Sequence, residues 1–146
     1  DIGHSAGVFE LLQYLAVLIT RTSHPCVVLD ALDENRAFAY AYSAPAMLAD
    51  MYETPAIARA DVKLLSRYQE RGIRVVDLEM ERNDCTVKDD GTIHVTERLQ
   101  RAEVLLADGS RRVLPAGQWQ QLRVKVTFDE RWRIAETEPV GQRASR

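Results

Sequence analysis

The chain has 146 residues, a hydrophobic fraction of 46%, a charged fraction of 28% and a net charge of −3 from 19 basic and 22 acidic side chains. That size and mixture suit one globular domain and exclude a disordered or fibrous chain. The charges are interspersed with no basic block, so a nucleic-acid footprint is not expected. We expect a single domain over 1–140 and a polar tail over 141–146.

Ser5 reads as an N-cap, and Val8, Leu11, Leu12, Leu15, Leu18 and Ile19 recur at helical spacing, which predicts an amphipathic helix over 6–21. Its apolar window is too short to cross a bilayer, which takes about 20 residues. No basic region precedes it as in a signal peptide. Direct membrane insertion is therefore not expected. The start at Asp1 rather than Met points to a trimmed chain, and an anchor upstream of it is one possibility. The compartment is left open between the cytoplasm and the far side of a membrane.

His24-Pro25 ends the first helix, because proline forces its predecessor out of the helical region. Over 26–42 a turn at Asp33-Glu34-Asn35-Arg36 between two strands competes with a helix. The alanines favour the helix, which is the expectation here. Ser43-Ala44-Pro45 opens a short helix over 44–52, and Thr54-Pro55 opens another over 55–71 with Gly72 as its stop.

From Ile73 the apolar period changes from 3.6 to 2. Val76, Leu78 and Met80 alternate with Asp77, Glu79 and Glu81, as in a half-buried antiparallel strand. Asp89-Asp90-Gly91 is a hairpin turn. Ile93, Val95 and Leu99 then point inward, until the phase slips near Gln100 and Ala102, Val104 and Leu106 take over. Such a slip marks a β-bulge, which bends the sheet. After a turn at Ala107-Asp108-Gly109-Ser110, Val113-Leu114 begins a return that Pro115-Ala116-Gly117 breaks. Leu122, Val124, Val126 and Phe128 mark the next strand, and Trp132 and Ile134 face inward from the last. The fold class expected is α+β: N-terminal helices packed on a strongly bent, mostly antiparallel sheet of about four long strands.

Two stretches carry a resemblance. They are Leu64-Leu65-Ser66-Arg67-Tyr68-Gln69-Glu70-Arg71-Gly72 and Val124-Lys125-Val126-Thr127-Phe128-Asp129-Glu130-Arg131-Trp132-Arg133-Ile134. With Ser43-Ala44-Pro45-Ala46-Met47-Leu48, they resemble the nuclear transport factor 2-like superfamily. The similarity is to small domains of plastid-division proteins and of membrane-anchored actinobacterial proteins. It spans roughly 43–138 and implies a cone-shaped fold. It also implies one of three roles: a module holding a protein partner or a second copy, a cone enclosing a small apolar ligand, or a soluble part of an anchored secretion or conjugation complex.

The chemistry-bearing residues are few. Cys26 and Cys85 are too few for a zinc site or a redox motif, and we expect two buried free thiols rather than a disulfide. His4 and His24 sit at helix margins. His94 is on the polar side of its strand, where an exposed histidine is a stronger expectation than a general base. Asp77, Glu79 and Glu81 read as a solvated stripe facing Arg98, Arg123 and Lys125. Asp61 falls on the apolar side of its helix, either as an acid at the cone mouth or as a boundary residue. Trp119, among Gln118, Gln120 and Gln121, suggests partner contact. Tyr40, Tyr42, Tyr52, Asp61, His94 and Trp119 are the pocket candidates, with no catalytic, metal or cofactor site assigned. Binding is favoured over catalysis, with a protein partner or homodimer ahead of a small apolar ligand or a cyclase/isomerase-type reaction.

Overall fold

Proline starts every helix among the described residues. The computed structural model describes residues 20–140, and the helix expected over 6–21 lies almost wholly outside them. Helix α1 (Pro25–Ala41) is capped by His24, whose Nδ1 accepts from the Cys26 amide at 3.1 Å. The helical reading of 26–42 therefore holds. Helix α2 (Pro45–Ala49) is shorter than expected. It ends early because Met51 and Glu53 turn their backbone groups to Ile134, with N···O distances of 2.8 Å each. Helix α3 (Pro55–Glu70) is capped by Thr54, which accepts from the Ile57 amide.

The sheet has five strands: β1 (Arg74–Val87), β2 (Ile93–Leu105), β3 (Arg111–Leu114), β4 (Gln120–Asp129) and β5 (Arg131–Pro139). All neighbouring strands are antiparallel, in the order β1-β2-β4-β5, and β3 lies beside β2. One strand more than expected arises because the Pro115 break divides the return. The part before it pairs with β2 over 102–105, and the part after it with β2 over 93–97.

The bend comes from bulges. Glu79 pairs with Arg101 and Met80 with Leu99, so Gln100 has no partner and the phase slip falls there. Two further shifts leave Val76 and Asn83 unpaired on β1. The bulge at Val76 corrects one expectation, since Val75 rather than Val76 occupies the core. The curved sheet presents Val75, Ile93, Val95, Ala102, Val104 and Val124 to the helices, where Val28, Leu48, Ala58 and Leu65 complete a core of buried side chains. The opposite face carries ion pairs: Arg101 with Asp77 at 2.9 Å, Arg98 with Glu81 at 2.8 Å, and Arg123 with Glu138 at 2.6 Å. The acidic stripe of β1 is thus matched by arginines across the strand, although Arg123 and Lys125 pair with β5 instead.

Cys26 and Cys85 form a disulfide, which corrects the expectation of free thiols. It joins the first turn of α1 to the far end of β1. Their separation of 59 positions concealed a pairing that depends on α1 lying along β1.

Gly72 joins α3 to β1 at φ +69°, where an added Cβ would lie 3.0 Å from the Ala107 Cβ. Gly72→Ala is expected to cost about 1–2 kcal/mol from backbone strain and crowding, measured as a drop in urea midpoint at constant slope.

Candidate functional site

Three helical segments meet on one carboxylate. Arg36 and Tyr40 sit one turn apart on α1, Tyr52 follows α2, and Asp61 lies on α3. The Arg36 fork donates to Asp61 from Nε at 2.7 Å and from Nη2 at 2.9 Å. The Tyr52 hydroxyl donates to Oδ2 at 2.7 Å, and the Tyr40 hydroxyl donates to Oδ1. The Asp61 side chain is only 10% exposed. Four donated bonds fill both carboxylate oxygens, so the group is an anchor between helices rather than a free base. The sequence left Asp61 open between a buried acid and a boundary residue, and the structure places it part-buried between the three helical segments.

Burial alone would raise the Asp61 pKa. The Arg36 fork and the two hydroxyls outweigh burial and hold it below the ordinary 3.8. Burial and the neighbouring carboxylate push Tyr40 and Tyr52 well up, so both keep their donating protons. Because the folded pKa of Asp61 is depressed, its stabilisation is fully present above pH 3.8 and is lost as pH falls through the lower folded value. Acid titration followed by circular dichroism should show stability falling below pH 4, and Asp61→Asn should flatten that limb.

A second charged cluster lies where α1 faces the sheet. Arg82 donates to Asp30 at 2.5 Å, to Asp33 at 2.6 Å and to Glu97 at 3.1 Å. Burial dominates at Asp33 and raises its pKa, while the carboxylates outweigh burial at Arg82 and hold it protonated. The opposite balance follows from sharing: one guanidinium receives three carboxylates, and each carboxylate receives a fraction of one cation.

This cluster borders a groove of about 700 Å³. Cys26, Asp30, Asp33, Glu34 and Ala37 line it from one stripe of α1. From β1 it is lined by 78–80 and by 82–85. These runs include side chains of both faces of β1, Leu78, Met80 and Cys85 from the inner and Glu79 and Asp84 from the outer, so the groove runs along the edge of β1, and Gln100 of β2 completes its lining. No other strand pairs with that edge among the described residues.

A smaller recess of about 130 Å³ sits between α3 and the sheet. Leu64, Val75, Leu99 and Leu114 line it, with Arg36 and Tyr40 at one side.

The six pocket candidates do not converge. Tyr40, Tyr52 and Asp61 meet in the helix anchor. Tyr42 is 41% exposed and stacks on Phe38 at 4.5 Å. His94 lies on the outer face of the sheet with Arg123, Lys125 and Glu138. Trp119 is 42% exposed, with the Arg98 guanidinium 4.6 Å over its ring. Arg36 and Arg82 are the site residues that sequence reasoning missed. Arg36 is detectable once α1 is accepted, by its helical spacing to Tyr40. Arg82 had no signal, because it occupies the inward phase of β1 that otherwise belongs to apolar residues.

Among the described residues, no helix is long and apolar enough to cross a membrane, and no group of three or more His, Cys, Asp or Glu is placed to hold a metal ion. No protein-family model matches the sequence, and no curated protein matches it. Solved structures do. Two structures from Catenulispora acidiphila, one of them in complex with S-DNPA, align at TM-score 0.47 and 14% identity over 82% of this chain and 94% and 96% of theirs. The intermembrane space region of the chloroplast protein ARC6 aligns at TM-score 0.55 and 14% identity, over 82% of this chain and 98% of that one. The chain is thus similar in fold to a small domain of α+β type, with helices laid over a curved antiparallel sheet.

Proposed function

We propose that this chain is a nuclear transport factor 2-like domain acting as a protein-binding module in an oxidising compartment. One observation carries the binding role: the groove beside α1 is walled by a strand edge whose backbone groups no described strand occupies. Open edges pair readily with another chain, and recognition domains use them in that way. Asp61 supports the same reading from the other side, since an acid filled by four donors is poorly suited to proton transfer. The disulfide supports the compartment, because such bonds persist where thiols are not kept reduced. The test is a photo-crosslinking side chain placed at Asn83 in the native cell, with Thr127 as a control on another strand. A discrete protein adduct at 83 but not at 127 is expected. Equal labelling at both positions, or none at 83, would overturn the binding role.

A second reading rests on the apolar recess by Leu64, Leu99 and Leu114, whose size suits a ring-sized apolar ligand rather than a larger one. Leu99→Trp should fill the recess. If it abolishes retention of a bound hydrophobic molecule seen by native mass spectrometry while the position-83 adduct survives, both readings stand apart.

A further inference from the structure

The groove between α1 and β1 selects its occupant by charge. Five of its lining side chains are carboxylates, Asp30, Asp33, Glu34, Glu79 and Asp84, and Arg82 is its one cation. Arg82 is already engaged by Asp30 and Asp33 within the groove and by Glu97 beside it. Glu34 and Asp84 have no cationic partner among the described residues, and they stand on opposite walls, one on the helix and one on the strand. Between the walls the lining is apolar, with Ala37, Leu78, Met80 and the Cys26–Cys85 bridge.

Resting on the protein-binding reading, we propose that this groove takes an extended segment of a partner protein that adds to the β1 edge as an extra strand and carries alternating apolar and Lys or Arg side chains. The edge supplies backbone donors and acceptors in register. A strand's alternation then sends one set of side chains to the apolar floor and the other to the acidic walls. Residues 78–85 span about 23 Å at about 3.3 Å per residue, which accommodates a segment of six to eight residues. The bulge at Asn83 limits regular pairing to one side of it, so the firmest contacts fall along 78–82. A second copy of this chain fits poorly, since edge-to-edge pairing would set Asp84 and Glu79 of each copy against a surface of the same sign.

The test uses the oxidised chain and three fluorescent seven-residue peptides read by polarisation. The first is acetyl-Lys-Val-Lys-Val-Lys-Val-Lys-amide, the second has Glu in place of Lys, and the third keeps Lys but is N-methylated at alternate backbone nitrogens. Only the first is expected to bind, at micromolar concentration, weakening at least tenfold between 50 and 300 mM salt. Glu34→Lys with Asp84→Lys should weaken it at least tenfold, and thermal melts of the variant establish that it is folded. Amide exchange over 78–82 should slow on binding. Equal binding of the Glu peptide overturns the charge selection, and equal binding of the N-methylated peptide overturns strand addition. If neither Lys peptide binds while position 83 still yields a protein adduct, this partner class is wrong and the binding reading survives.

Discussion

Asp61→Ala is expected to destabilise the domain by about 3 kcal/mol. The substitution removes the acceptor of two arginine and two tyrosine bonds and leaves the Arg36 charge uncompensated. Breaking a fully buried pair in this way costs about 3–5 kcal/mol. The lower end applies because the Arg36 side chain is 30% exposed and recovers part of its hydration. Tyr52→Phe removes one hydroxyl and should cost about 1–2 kcal/mol. Replacing the pair together, Asp61→Leu with Arg36→Met, should recover most of the loss, because no unpaired charge remains. Urea unfolding of the four proteins checks this. A double variant as unstable as Asp61→Ala would mean that packing rather than charge sets the cost.

The contrast between what the sequence disclosed and what it concealed follows from the range of each signal. Local features were legible. Thr54-Pro55 and Gly72 bracket α3 to within a residue of the expected bounds, because capping and positive φ are properties of a few adjacent residues. The slip at Gln100 was equally visible, since a bulge displaces every later side chain of its strand. The slip at Val76 was missed because it falls within two residues of the strand's start, before any alternation exists to be broken. The candidate site depends on long-range contacts and was legible only in part. Asp61 stood out as an acid on an apolar face. Its meaning required Arg36, 25 positions away, and Tyr52 to arrive at the same place. The groove left no trace in the sequence. An open strand edge is a statement about which strand has no neighbour, and Asp33 and Arg82 become partners only when α1 lies along β1.

Loss of the Cys26–Cys85 bond is expected to cost about 4 kcal/mol, more than Asp61→Ala. The bond closes a loop of 59 residues in sequence separation, and the chain-entropy relation for that length gives about 4 kcal/mol at 25 °C, acting mainly by restricting the unfolded chain. For a domain of this size that is a fall in Tm of roughly 10 °C. The reduced native chain and the Cys26→Ala, Cys85→Ala double variant should melt at the same temperature within error, both below the oxidised chain. The double variant should also unfold with a steeper urea dependence, since an uncrosslinked chain exposes more surface. A reduced protein that melts within 2 °C of the oxidised one would show that α1 and β1 stay together without the bond, through Arg82 and the apolar contacts of Val28, Leu29 and Leu32. The consequence then reaches the groove. Both cysteines line it, and the bond fixes the distance between its helical and strand walls at one end. Reduction at a temperature where the domain remains folded should therefore speed amide exchange in the first turns of α1 before it affects α3, whose Asp61 is held by Arg36 and Tyr40, ten or more positions further along α1 than Cys26.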